Sequence, residues 1–212
     1  MTWSDIVNRN IVYKALKSVY RTGKPFCPNY KDIFRAFTFL SPDECKVCWV
    51  GQDPYPQKNV ATGILFGNKS ETLSEKLSPS LKVIKNSLLE DLQISEKDFN
   101  FDPSLESWAK QGILMINSAL TVEMNKIGSH VMIWRPFIST LLRNLSNYKP
   151  NILFILFGSQ AGTFRPYINK KSTVLEIPHP AYSARTGEKF PLIFKSINRI
   201  LVEKGEKEIS WI

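Results

Sequence analysis

The sequence lacks the features that mark membrane-spanning and secreted proteins. It has no run of about 18 apolar residues, the length of a spanning helix, and its first ten residues, MTWSDIVNRN, lack the charged and then apolar layout of a secretory signal. Three cysteines are too few for a disulfide framework. We therefore expect a soluble protein of a reducing compartment, with a cytoplasmic location and no contact with a membrane.

Cysteine is also too scarce for a four-thiolate zinc or iron–sulfur centre. Cys45 and Cys48 have the C-x-x-C spacing of metal and redox sites, but they lie in ECKVCWVG, which indicates the entry and body of a strand. Side chains three positions apart on a strand point to opposite faces. Cys27 is the only other cysteine, so a four-thiolate site cannot be completed from cysteine. We therefore interpret Cys45 and Cys48 as ordinary strand residues.

Acidic residues are fewer than basic residues. Asp and Glu total 19 and Lys and Arg total 28, which gives a formal net charge of +9. Such a surplus favours polyanionic partners, nucleic acid first and an anionic membrane surface second. Hydrophobic residues make up 43% and charged residues 22% of the chain, as in ordinary globular proteins. A chain of 212 residues predicts a single domain over 1–212 with a sizeable core.

Short apolar runs alternate with stretches of helical spacing. The runs predict strands at 46–50, 113–117, 151–157 and 172–177. The intervening patterns predict helices at 5–20, at 78–92 with Ser80 as its cap, at 134–145, and at 191–205 with Gly205 as its C-cap. This alternation predicts an α/β fold: a three-layer sandwich with a central four-stranded, mainly parallel twisted sheet flanked by helices.

Polar side chains follow each predicted strand. In chain order they are Gln52, Asp53 and Tyr55, then Asn117, then Ser159 after Gly158, and finally His179. Because ligands of such folds bind beyond the carboxyl ends of the strands, four segments deliver polar groups to one edge of the sheet. The chain has only one other histidine, His130, which lies in a polar loop. This convergence predicts a functional site.

Each of these residues also has an ordinary structural explanation. Asp53 has the position of a turn aspartate before proline, Asn117 that of a strand-end turn residue, and His179 that of a capping loop histidine. Phe66 has the character of a core aromatic. The fixed position of Tyr55 between Pro54 and Pro56 is the feature that a turn alone does not require.

At these residues the chain resembles the family 1 uracil-DNA glycosylases. The resemblance covers about residues 45–211 and includes the ending EKEISW. Six motifs follow the family's order: GQDPYP (51–56) for G-Q-D-P-Y-H, GILFGN (63–68) for G-L-x-F-S, SPSL (78–81) for the serine–proline loop, WAKQGILMINSALTV (108–122) for W-A-x-Q-G-V-L-L-L-N-x-x-L-T-V, FGSQA (157–161) for W-G-x-x-A, and HPAYSA (179–184) for H-P-S-P-L-S.

The resemblance implies hydrolysis of the bond between uracil and deoxyribose in single- or double-stranded DNA, without a metal or organic cofactor. Asp53 would orient and activate water, and a neutral His179 would donate to uracil O2 as negative charge develops there. Phe66 would stack on the flipped base. Asn117 would pair with the uracil edge, which cytosine does not match. Tyr55 would exclude the thymine methyl group, and Gln52 would also contact uracil.

The resemblance also implies DNA contacts that carry no sequence information. Serines that match or lie near the family's phosphate contacts are Ser78, Ser80, Ser159 and Ser183, and Arg185 is the cation placed nearest the duplex. The family's members are usually monomeric, and DNA-mimicking protein inhibitors bind their cleft. Both properties become expectations for this chain.

The chain departs from the family pattern at three places. Pro56 stands where the family has histidine, and Gly67 stands where it has serine after the stacking phenylalanine. The family pattern H-P-S-P-L-S-x-x-R-G has a leucine that fills the space left by the base. When HPAYSARTG is aligned to it with a gap of one residue, Tyr182 takes the place of this leucine, and without a gap Ser183 does. We favour Tyr182, because such wedges are large apolar or aromatic side chains.

Three other functions compete with uracil excision. Pro56 and the altered loop favour a non-catalytic DNA-binding or replication-accessory protein on the same scaffold, whereas Asp53, Asn117 and His179 oppose it. A relative acting on another base, such as mismatched thymine, is opposed by Tyr55 and Asp53. A small-molecule α/β enzyme that happens to be basic would not bind DNA in a salt-sensitive way.

Overall fold

The computed structural model describes residues 1–212. Its strands are β1 (Phe26–Cys27), β2 (Val47–Gly51), β3 (Ile113–Asn117), β4 (Val122–Glu123), β5 (Leu153–Phe157) and β6 (Thr173–Ile177). Its α-helices are α1 (Trp3–Ile6), α2 (Arg9–Arg21), α3 (Pro79–Leu92), α4 (Glu106–Ala109), α5 (Val131–Tyr148), α6 (Gly158–Gly162), α7 (Pro180–Thr186) and α8 (Phe194–Glu203). Short 3-10 turns cover Tyr30–Asp32, Arg35–Thr38, Ser74–Lys76, Glu96–Asp98 and Arg165–Tyr167.

The central sheet has four strands in the order β3-β2-β5-β6, and every neighbouring pair is parallel. The predicted three-layer α/β sandwich is therefore confirmed, and each predicted strand lies within two residues of its observed bounds. Strands β1 and β4 form a separate antiparallel ribbon. Because all four sheet strands run the same way, their carboxyl ends share one edge, where loops meet.

Side chains of the sheet alternate between two buried clusters. On β2, Cys48 and Val50 join the cluster that includes α2 and α5, whereas Val47 and Trp49 join the cluster that includes α3, α4 and α8. Both faces of the strand are covered, so β2 reads as a continuous apolar run rather than an alternating one. None of the helices combines the length and the apolar character needed to cross a membrane.

The helices differ from the sequence prediction at their ends. The predicted helix at 5–20 is two helices, because Asn8 caps α2 with its Oδ1 accepting from the Asn10 amide at 2.7 Å. Helix α5 is three residues longer at each end than the prediction of 134–145. The residue that precedes α3 is Ser78, with Pro79 in the first helical position. The prediction of Ser80 as the cap was therefore wrong, since Ser80 is buried inside the first turn.

Three further sequence predictions concern Gly205, the two neighbouring cysteines and His130. Gly205 follows α8 with φ +73°, and its amide donates to the Val202 carbonyl, which confirms the glycine C-cap. Cys45 precedes β2 and shares one buried cluster with Cys48, so the two side chains do not lie on opposite faces of the sheet. His130 lies in the turn that precedes α5, as predicted, but it is buried there, with Nδ1 2.9 Å from Thr121 Oγ1.

Candidate active site

The loops after β2 and β3 are tied together at the carboxyl edge of the sheet. Gly51 and Asn117 are register partners at the ends of these strands. Beyond them, the Ser118 amide donates to the Gly51 carbonyl at 2.9 Å and the Ala119 amide donates to the Gln52 carbonyl at 3.0 Å. These hydrogen bonds continue the pairing past the sheet, so the polar residues that follow the two strands are held side by side.

A cavity of about 340 Å³ opens at this edge. This volume suits a small molecule or a single base, at the lower end of the usual range for ligand pockets. It is lined by nine of the residues that the sequence singled out, namely Gln52, Asp53, Tyr55, Phe66, Ser80, Asn117, His179, Tyr182 and Arg185. Segments that are distant in the sequence therefore meet around one pocket.

Asp53 has one carboxylate oxygen held by the protein and one left without a partner. Its Oδ2 accepts from the Gly128 amide at 2.7 Å and from Gln52 Nε2 at 3.1 Å. Its Oδ1 is buried and has no hydrogen-bond partner. Burial raises the pKa of the Asp53 carboxyl, and the two hydrogen bonds oppose that rise. A carboxylate fixed through one oxygen can accept a proton or orient water through the other.

Asn117 also faces the cavity with an unpaired group. Its Oδ1 is buried and has no hydrogen-bond partner, which is costly unless a ligand supplies a donor. Gly51 makes room for it, because a Cβ on Gly51 would lie 2.9 Å from Asn117 Oδ1 and 2.3 Å from the Leu65 side chain. The amide can offer one acceptor and one donor to the edge of a planar heterocycle.

Tyr55 and Phe66 form the aromatic wall of the cavity. The Tyr55 hydroxyl donates to the Phe66 carbonyl at 3.2 Å. Phe66 has φ +64°, a left-handed conformation that costs a non-glycine residue of order 1–3 kcal/mol. Its ring meets those of Phe157 and His179 edge-on, with centroids 5.1 and 5.4 Å apart. The surrounding contacts hold this strained backbone, so the ring has a fixed place in the pocket.

His179 is a neutral histidine with a defined tautomer. It caps α7, and its Nδ1 accepts from the Ala181 amide at 3.2 Å. Burial lowers the pKa of His179 to about 4. At neutral pH the ring is therefore uncharged and carries its hydrogen on Nε2, which is available as a donor. Gly158 allows His179 to approach, since a Cβ there would lie 2.9 Å from His179 Cβ.

The residues assigned to DNA contacts differ in accessibility. Tyr182 is 40% exposed at the rim, its hydroxyl donates to Glu188 Oε1 at 2.7 Å, and the Arg185 guanidinium lies 5.9 Å from its ring centre. Ser183, one position along α7, is 6% exposed. Ser78 is half-buried and accepts from Asn68 Nδ2 at 2.8 Å. Ser159 is exposed in α6 and does not line the cavity.

Sequence reasoning missed the turn that holds Asp53. Gly128, with φ +82°, supplies the amide that binds Asp53 Oδ2, and the Asn125 amide donates to the Pro56 carbonyl at 3.1 Å. Ile127 at the tip of this turn is 69% exposed and lines the cavity. An isolated glycine in NKIGSH indicates a turn, but nothing in the sequence connects that turn to a carboxylate 75 positions away.

The pocket lies at the carboxyl edge of a parallel sheet and is lined by a carboxylate, an amide and a neutral imidazole. This arrangement defines an α/β enzyme site for a flat, polar heterocycle. The family model described as the uracil DNA glycosylase superfamily matches residues 37–202. The chain belongs to this superfamily.

Curated relatives agree with this assignment. The chain is 37% identical over 199 residues to a uracil-DNA glycosylase of Coxiella burnetii, which covers 92% of this chain and 84% of the relative. It is 33% identical to a uracil-DNA glycosylase of Vibrio campbellii, over 99% of this chain and 95% of the relative.

Solved structures show the same fold. A mimivirus UNG variant in complex with UGI aligns with a TM-score of 0.80 at 24% identity, over 92% of this chain and 79% of that one. The UNG of Nitratifractor salsuginis aligns with a TM-score of 0.67 at 19% identity, over 95% of this chain and 90% of that one.

Proposed function

We propose that this chain is a family 1 uracil-DNA glycosylase, a hydrolase of DNA base excision repair. It flips uracil out of DNA, breaks its bond to deoxyribose and leaves an abasic site with the sugar–phosphate backbone intact. The observation that carries the proposal is the set of unpaired groups on one cavity: Asp53 Oδ1, Asn117 Oδ1 and the Nε2–H of His179. The subfamily assignment rests on the six motifs in family order, GQDPYP above all.

Recognition of uracil follows from the donors and acceptors of Asn117. Its buried Oδ1 accepts from N3–H of uracil, and its Nδ2 donates to O4. Cytosine presents an acceptor at N3 and a donor at C4, so both interactions would be lost. A site built to pair with one edge discriminates strongly against the mismatched edge, because its own buried groups are then left unpaired.

Cleavage uses Asp53 and His179 on opposite sides of the breaking bond. The bond between uracil N1 and C1′ of the sugar breaks, and the electron pair leaves with uracil. The Nε2–H of His179 donates to uracil O2, where negative charge develops. Asp53 stabilises the cationic sugar, directs the water oxygen to C1′ and takes the proton of that water. Phe66 stacks on the base, and Gln52 adds a polar contact.

Tyr55→Ala is expected to give the enzyme measurable activity on thymine. The Tyr55 ring lines the cavity between two prolines, and its hydroxyl is fixed to the Phe66 carbonyl, so it cannot turn aside for the C5 methyl group. Release of thymine and uracil from single-stranded oligonucleotides measures the change. Tyr55→Phe keeps the wall and should exclude thymine. Thymine release below detection in Tyr55→Ala, with uracil release retained, would contradict this role.

Tyr182→Ala is expected to lower excision from duplex DNA about tenfold more than excision from single strands. The proposal that Tyr182 is the wedge rests on its exposure at the rim, whereas Ser183 is buried. A wedge offsets the cost of unstacking, a few kcal/mol that a single-stranded base does not incur. Ser183→Ala serves as the matched control. Equal losses on both substrates in Tyr182→Ala would remove the wedge role.

The function itself is tested with a labelled single-stranded oligonucleotide carrying one uracil. The protein is incubated with it in EDTA, and alkali then breaks the strand at any abasic site. We expect a break at uracil and none at thymine or cytosine. Pro56, which lines the cavity where the family has histidine, offers no side-chain donor. If the protein is folded and binds DNA but no strand break appears at uracil, the result would instead favour an accessory role. Pro56 would then be the first residue to examine as the cause of the lost activity.

The proposal also covers the organisation of the chain, its DNA contacts and its location. Residues 1–212 act as one catalytic domain and as a monomer. Ser78, Ser80, Ser159 and Arg185 contact the DNA backbone, and no metal or organic cofactor takes part. A structural neighbour was solved in complex with UGI, which supports binding of a DNA-mimicking protein inhibitor to the same cleft. The curated relatives named above come from bacteria, whose DNA lies in the cytoplasm, and this supports a cytoplasmic location.

A further inference from the structure

Three tyrosines near the N-terminus are exposed without any structural need for their rings. Tyr13, Tyr20 and Tyr30 are 61%, 53% and 62% exposed. None of their hydroxyls bonds to another group of the protein. The Tyr20 ring lies 6.1 Å from Tyr30 and 5.8 Å from the half-buried Phe26. Tyr20 and Tyr30 therefore form an exposed pair of rings, tilted 52° to each other, and Tyr13 is a separate exposed ring on the same helix as Tyr20.

The same segment is the most basic part of the chain. From Arg9 to Lys31 there are six basic residues and no acidic residue, a local charge of +6 in a chain of net charge +9. No ion pair of the structure involves any of these six. Lys17 and Tyr20 lie four and seven positions after Tyr13, so they share one exposed face of α2, and the Lys17 ammonium lies 5.6 Å from the centre of the Tyr13 ring.

The Tyr30 end of this surface lies near the active-site cavity. Ile33, which lines the cavity, is one 3-10 turn from Tyr30. Cys27 Sγ contacts the carbonyl oxygen of Gln57 at 3.4 Å, next to Pro56 in the cavity wall. From Tyr30 the surface extends through Tyr20 to Tyr13, and the last two are about 10 Å apart along the helix. The cavity wall at Ile33 and Pro56 belongs to different segments from the rim at Tyr182 and Arg185.

We propose that this surface, formed by Tyr13, Lys17, Tyr20, Arg21, Lys24 and Tyr30, binds single-stranded DNA continuous with the strand that carries the uracil. Exposed rings stack on unpaired bases of any sequence, and unpaired cations neutralise the phosphates between them. Duplex DNA keeps its bases stacked on one another, so it would use the cations but not the rings. The inference rests on the proposed function and adds a second binding surface beyond the pocket.

The test compares a long and a short substrate. The long one is a single-stranded 20-mer with a central uracil, and the short one is a trinucleotide with uracil in the middle, which reaches the pocket but not α2. One variant removes rings (Tyr20→Ala/Tyr30→Ala) and one removes charges (Lys17→Gln/Arg21→Gln/Lys24→Gln). Tyr20→Phe/Tyr30→Phe keeps the rings. Lys170→Gln/Lys171→Gln/Lys207→Gln removes three exposed charges outside the surface.

We expect the ring variant to raise KM for the 20-mer about tenfold and to leave kcat/KM for the trinucleotide within twofold of wild type. The charge variant should lower the slope of log Kd against log salt for a uracil-free 20-mer by about 2. Both control variants should match wild type. The proposal would be overturned if the ring variant lost equal activity on the 20-mer and the trinucleotide. It would also be overturned if the Lys170/Lys171/Lys207 variant lowered the salt slope as much as the charge variant.

Failure of the proposed function would give a different result from failure of the aromatic surface. In that case wild-type protein would release no uracil from either substrate, while the binding of the uracil-free 20-mer would still report on the aromatic surface. If that binding is unchanged in both the ring and the charge variants, the surface does not bind single strands.

Discussion

Asp53→Asn is expected to lower kcat for uracil release by a factor of about 10² to 10⁴. The amide retains the shape of the side chain and can still accept the Gly128 amide hydrogen, but it carries no negative charge and takes no proton from water. Burial raises the pKa of the Asp53 carboxyl, so removal of its charge does not weaken the fold in the way that loss of an ion pair would. The measurement is single-turnover release of uracil from a single-stranded oligonucleotide.

Asp32→Asn is the matched control for this prediction. Asp32 lies one position before the cavity residue Ile33, and its carboxylate forms neither an ion pair nor a hydrogen bond. Its replacement should leave kcat unchanged.

Affinity for DNA with an abasic site should remain near wild type in Asp53→Asn, since the phosphate contacts are unaffected. A value of kcat within tenfold of wild type in Asp53→Asn would show that another group activates the water.

His179→Leu is expected to lower kcat about 10² to 10³-fold, the usual cost of removing one donor to developing negative charge. The substitution also removes the acceptor that caps α7 at the Ala181 amide, which costs about 1 kcal/mol of stability. His179→Asn separates these effects, because its Oδ1 can cap the helix while its amide is too short to reach the base. We expect Asn to restore stability but not kcat. Activity near wild type in either variant would contradict the role of His179.

The same histidine predicts how stability depends on pH. The pKa of His179 is about 4 in the folded protein, below its ordinary value near 6.5. Between these values the unfolded chain binds more protons than the folded one, so stability falls as pH falls from about 6.5 to about 4, by up to about 3 kcal/mol. The raised pKa of Asp53 acts in the opposite direction, and it is present in both wild type and His179→Leu.

Urea unfolding at pH 7 and pH 4.5 measures this effect. Subtracting the pH dependence of His179→Leu from that of wild type isolates the contribution of His179. We expect wild type to lose more stability than the variant on acidification. Identical losses would mean that His179 takes up its proton as readily in the folded state as in the unfolded state.

Much of the site could be predicted because its residues occupy strand ends. Asp53, Asn117 and His179 each follow a buried apolar run, and parallel strands bring such positions to one edge. The distances between these three side chains, the atoms that are left without hydrogen-bond partners and the tautomer of His179 could not be predicted. They depend on loops that form hydrogen bonds with one another beyond the sheet. That Tyr182 is exposed and Ser183 is buried likewise depends on the turn of α7.

The differences from the sequence prediction concern where elements begin and which side chains are buried. His130 lies in the turn before α5, as its composition predicts, but the sequence does not show that contact with Thr121 buries it there. Ser80 has the residue type of a helix cap, yet Pro79 starts the helix one residue earlier and turns Ser80 toward the cavity. Cys45 reads as part of a strand, but the strand begins two residues later.

The sequence by itself determined the α/β class, the parallel sheet and the residue types of the site, because hydrophobic period and strand-end polarity are local properties of the chain. Only the tertiary structure decided that Gly128 holds Asp53, that Phe66 lies in a strained position, and that Tyr20 of α2 lies beside Tyr30. These features join segments separated by tens of residues. Such contacts depend on how whole layers pack, which no local pattern of residues encodes.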